Sequence, residues 1–237
     1  MFLNMKKLIS SILFLAATLT LSAQDARQRT VETVVADVLA AMPANNSSEL
    51  NAQMSDLAAA APSSVVETAK MLKPAAEDVR NNLYEYALTG LANYASANPA
   101  CVDKVRDGFS QAIKITDDTN NKALLLNLLR QIAKPADAQL FKEYVNDPAL
   151  ASTAVGALVD IPGTENLILD LVKEGTADRR LLATAAAEKG ITAAEPYIQK
   201  WVIPTALNST KHDNAFFSAL AAIGSESSLN ILKENST

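Results

Sequence analysis

The chain has 237 residues, 49% hydrophobic and 20% charged, with 21 basic against 26 acidic side chains. This is the composition of a folded globular chain, and a net charge of −5 with no basic cluster beyond Arg179-Arg180 excludes a nucleic-acid surface. One histidine and one cysteine exclude multi-histidine metal centres, cysteine-ligated zinc and an internal disulfide.

Residues 1–23 read as a secretory signal peptide. Met5-Lys6-Lys7 supply a positive n-region, Leu8 to Leu21 an apolar run too short for a membrane span, and Ser22-Ala23 a small-residue cleavage site before Gln24. No cysteine follows that run, which argues against a lipid-anchored N-terminus. Cleavage near Ala23 leaves 19 basic against 26 acidic residues, a net charge of −7. The expected location is periplasmic or secreted, with no membrane attachment after processing. The remaining 214 or so residues suffice to bury a core without a covalent staple.

Residues 24–120 are expected to form helical hairpins. Val31, Val34, Val35, Val38 and Leu39 recur at helical spacing up to Met42-Pro43. Asn45 to Ser48 offer N-caps for a second helix carrying Leu50, Met54 and Leu57, and Ser63-Ser64 are expected to cap a third carrying Val65, Val66 and Ala69. After Pro74, Glu77 and Asp78 suit the first turn of a longer helix with the stripe Val79, Leu83, Ala87, Leu91 and Tyr94. Gly90 lies inside it, where it marks close approach of a neighbour. Cys101, Val102, Val105, Phe109 and Ile113 make the next helix, ended by the polar run Thr116 to Asn121. No alternation long enough for a strand occurs, so the class is all-α.

Residues 121–237 repeat. Taking Ile132, Ile161, Gly190 and Ile223 as the residues that open each turn, Leu129, Leu158, Ala187 and Leu220 stand three before. Leu125, Ala154, Ala183 and Phe216 stand seven before, and Leu140, Leu169, Ile198 and Ile231 eight after. Steps of 29, 29 and 33 residues built from paired helices indicate a stacked solenoid. Thr164, Thr192 and Ser225 are expected to cap the second helix of their pairs through their hydroxyls, and the longer third step falls in a polar connection around Pro204 to Asn214.

Asp147-Pro148 with Ala151, Ala154, Leu158, Ile161, Pro162-Gly163-Thr164 and Leu167, and again Ala219 to Gly224, resemble short HEAT-like repeats. Glu188-Lys189-Gly190 departs from that pattern. The resemblance implies a right-handed α-solenoid of antiparallel helix pairs, HEAT/armadillo-like, whose concave face is lined by the second helices. Tyr84 to Tyr94 with the flanking helices also looks like the N-terminal helical region of exported Bacteroidetes proteins that often carry a downstream domain of the 3-keto-disaccharide hydrolase type. Nothing in these residues corresponds to that domain.

The chemistry-bearing residues are sparse. His212 reads as a loop histidine, with a general base as the alternative; Cys101 reads as a packed small hydrophobe, with an intermolecular disulfide as the alternative. Asp117-Asp118-Thr119-Asn120-Asn121 lacks the glycine and terminal glutamate of a calcium loop and reads as helix-capping. Tyr197 and Trp201, four apart on a helix, either cover the neighbouring repeat or form a sugar-stacking patch. No catalytic, cofactor-binding or metal-binding residue is assigned and no cofactor is expected. The expected function is an exported, non-catalytic interaction scaffold offering a curved surface to a protein or glycan. The alternative is an accessory region of a carbohydrate-active enzyme. The last helix carries only Leu229, Ile231 and Leu232 ahead of a polar tail, so that end is expected to be covered by another body or open to a partner.

Overall fold

The computed structural model describes residues 29–74, 81–208 and 214–234, the last six of the middle stretch as backbone only. The signal segment, Glu77, Asp78, Val79 and His212 lie outside them. Among the described residues there are thirteen α-helices, two short 3-10 turns and no strand. No described helix is long and apolar enough to cross a membrane.

In chain order the helices are α1 (Val31–Ala40), α2 (Ser47–Ala59), α3 (Ser63–Lys70), α4 (Asn81–Ala97), α5 (Pro99–Ile115), α6 (Thr119–Ile132) and α7 (Ala138–Lys142). Then follow α8 (Ala151–Asp160), α9 (Glu165–Glu174), α10 (Arg179–Glu188), α11 (Glu195–Asn208), α12 (Asn214–Ile223) and α13 (Glu226–Glu234). Several start where a side chain accepts from an otherwise orphaned backbone N–H, as at Thr30, Asn46, Asp118 and Asp178. Asn46 accepts from the Glu49 N–H at 2.9 Å while the Glu49 carboxylate accepts from the Asn45 N–H at 2.9 Å. Asp118 accepts from Asn121 N–H at 2.9 Å, so the acidic run before α6 is a cap.

Packing follows the chain. Among the described residues, each helix makes its substantial contacts with elements no more than three helices away. The even-numbered helices contact one another in series from α2 to α12, and the odd-numbered ones do so from α1 to α5 and from α9 to α13. The interruption falls at α7, the shortest helix, with five residues. A continuous core runs from α1 to α12: Leu125, Leu129, Ala154, Leu158 and Ala183 are fully buried, and Ile132, Phe216, Leu220 and Ile223 nearly so.

Three local expectations are corrected. Gly190 is exposed, and the buried turn position is taken by Ile191. Glu188-Lys189-Gly190 ends α10 in a Schellman stop: Gly190 adopts φ +64° and the Ile191 N–H donates to the Ala186 carbonyl at 2.8 Å, which moves the apolar residue one place on. Ser64 and Thr164 do not cap the helices that follow. Their hydroxyls donate backwards, from Ser64 to the Leu57 carbonyl at 2.6 Å and from Thr164 to the carbonyls of Leu158 at 2.5 Å and Ile161 at 2.9 Å. Both side chains are buried against the end of the preceding helix, where unpaired carbonyls cost more than unpaired donors facing water. Finally, α11 continues through Pro204 to Asn208, so the first half of the connection expected from Pro204 to Asn214 is helix; a proline forfeits one helical hydrogen bond without ending the run.

Candidate functional surface

Turns that lead from an even-numbered helix to the next odd-numbered one are tied by polar links to residues 24 to 33 places away in sequence. The innermost link is Arg106 on α5, whose guanidinium pairs with the Asp137 carboxylate at 2.8 Å, both side chains only 11% and 10% exposed. Asp137 also accepts from the Lys134 N–H at 2.8 Å, and Asp103 receives Arg106 and Lys134, each at 2.6 Å. The Lys134 ammonium holds the Asp103 carboxyl below the usual aspartate range.

The next link joins Arg130 on α6 to Asp160 on α8 at 2.5 Å. Its guanidinium lies across Gly156, where an added Cβ would stand 2.6 Å from one of its nitrogens. One unit on, Lys189 donates to the Ile161 carbonyl at 3.0 Å and pairs with Glu165 at 3.0 Å. The backbone amide at its own position and the Lys189 ammonium lower the Glu165 pKa.

The fourth link carries no cation. One oxygen of Glu195 on α11 accepts from the Ser225 N–H and hydroxyl, both at 2.8 Å, from the Ser228 hydroxyl at 2.5 Å and from Gln199 at 3.1 Å. The Ser228 hydroxyl and the Ser225 amide lower its pKa, and Ser228 is buried. The links are structural ties between charged or polar partners.

The loops from odd- to even-numbered helices differ in character. They border two clefts: one of about 280 Å³ between Leu72, Pro74 and Ile115 to Asp118, and one of about 470 Å³ between Val145 to Ser152 and Thr176 to Leu181. Ile115 is half exposed at the first. Its floor is held by two buried asparagines: Asn81 exchanges hydrogen bonds with the Lys73 backbone, and Asn121 donates to the Lys73 carbonyl at 3.1 Å.

The residues singled out from the sequence do not converge on one site. Cys101 is partly buried at the start of α5, its thiol donating to the Asn98 carbonyl at 3.3 Å and raised in pKa by burial. Trp201 is 8% exposed, tilted against Phe216 at 6.0 Å between ring centroids and covered by the Arg179 guanidinium at 5.6 Å. It packs against the neighbouring helices, and Tyr197 lies under the Lys200 ammonium rather than beside it as a free stacking face. Among the described residues no three His, Cys, Asp or Glu side chains group so as to hold a metal ion. The inter-unit links escaped the apolar pattern, although complementary charges one repeat apart, as at Asp103 and Lys134 or Arg130 and Asp160, are their signal in the sequence.

No family model matches the chain, and comparisons with curated proteins and with solved structures likewise find no match. The likeness to HEAT-like repeats therefore stands on the residues quoted for it.

Proposed function

We propose that this chain is an exported, non-catalytic scaffold: a right-handed α-solenoid of antiparallel helix pairs, HEAT-like, that offers the curved row of its second helices to a protein or glycan. The observation that carries the reading is the recurrence of polar links at separations of 28 to 31 residues, most of them at or beside the turns, alongside contacts confined to near neighbours in the chain. Repeats that touch only their neighbours extend into a row, and a row presents broad surface instead of a closed pocket. The contrast between paired helices is clear at α8 and α9: α8 exposes only Ser152 and Asp160, whereas α9 exposes Glu165, Asn166, Asp170 and Lys173.

A photo-crosslinking residue placed at Asn166, Lys200 or Asn230 on the second helices, or at Asn127 or Thr184 on the first, tests the assignment in the exporting cell. The expected result is a discrete adduct from the second-helix positions and none from the first-helix positions. Adducts confined to Asn127 and Thr184, or absent from all five, would count against it.

A further inference from the structure

The helix α13 is seated differently from the rest. Of its nine residues only Ser228 is buried; Leu229 is 46% exposed, and Ile231 and Leu232 are partly buried. By contrast α9 buries Ile168, Leu171 and Val172, and α12 buries Phe216, Ala219, Leu220 and Ile223. What α13 lacks in apolar anchorage it takes from one carboxylate. The Glu195 oxygen that accepts from Ser225 and Ser228 grips both the turn before α13 and its first helical turn, and Gln199 adds a hydrogen bond to the Ser228 hydroxyl at 3.0 Å. Hydrogen bonds to an ionised acceptor are stronger than neutral ones, whereas a segment with few buried apolar contacts opens at low free-energy cost. The Glu195 carboxylate therefore ties both the entry and the first turn of a helix with little buried apolar surface.

We propose that α13 is a local opening unit latched by the Glu195 carboxylate, lifting from α11 and α12 as one piece while α6 to α10 stay folded. Its lifting uncovers the faces of α11 and α12 that it packs against, which makes it a conformational device built into the fold. The inference stands on these contacts alone and does not depend on the scaffold reading.

Segment-resolved hydrogen–deuterium exchange on the full chain tests it. In the wild type, α13 amides should exchange roughly tenfold or more faster than those of α8, and Glu195→Gln should speed α13 by about another tenfold with α8 unchanged. Glu165→Gln, one link earlier, should leave α13 alone. Exchange of α13 in step with α8, or no acceleration in Glu195→Gln, would overturn the proposal. If Glu195→Gln loosens the whole chain, Ser228→Ala decides: acceleration confined to α13 supports the latch, and acceleration spreading to α8 overturns it.

Discussion

The polar links differ in worth because they differ in burial. Arg106 and Asp137 are both nearly out of water, and removing the cation leaves a carboxylate with the Lys134 amide as its remaining hydrogen-bond donor. Breaking such a pair costs several kcal/mol, while an exposed pair returns little. Arg106→Leu should therefore destabilise by about 3 kcal/mol in urea unfolding. Arg130→Leu, whose side chain and partner are 35% and 51% exposed, should cost under about 1 kcal/mol. Equal costs would mean that burial does not rank these links. Hydroxyls carry a related lesson: Thr164 and Ser64 have the residue type and position of N-caps, yet both turn back to serve buried carbonyls. Type and position suggest a cap; the direction of the bond depends on which backbone group is cut off from water.

At the scale of helices, close approach is set by glycines. Gly90 stands out in the sequence because it interrupts a long apolar stripe, and an added Cβ there would meet the Met54 sulfur at 2.9 Å, the far end of a flexible side chain. Gly108 carries no such signal but is tighter: its Cβ would stand 2.7 Å from the Val65 Cβ and 2.8 Å from the Pro62 carbonyl, neither of which swings aside. Gly108→Ala should cost roughly 1 to 3 kcal/mol by forcing α5 off α3, and Gly90→Ala should cost less. A comparison of thermal unfolding decides it, and the reverse order would contradict the packing of α5 on α3. Helix positions were largely legible because apolar residues at helical spacing point to one face, and Leu129, Leu158 and Leu220 are buried as their column requires. The columns failed at Gly190, where a left-handed stop added a residue, and they leave Ala187, Leu169 and Ile231 only partly buried, Leu169 beside the fully buried Ile168. A column of similar residues cannot sense a change of one place in register. The polar links were harder to read, because their partners lie 24 to 30 residues apart and only the fold brings Glu165 to Lys189 or Glu195 to Ser225.

For the whole molecule, the central claim is that helices packed only on near neighbours continue into a row. In the proposed solenoid the thirteen helices of the described residues would stand in two ranks at about 10 Å between axes, a body roughly 60 to 70 Å long. A compact domain of the same size has a radius of gyration of about 17 Å and a maximum dimension of roughly 45 Å. Small-angle X-ray scattering from the chain beginning at Gln24 measures the difference directly. The row predicts a radius of gyration of about 20 Å or more and a longest internal distance above about 60 Å; values near 17 and 45 Å would contradict it.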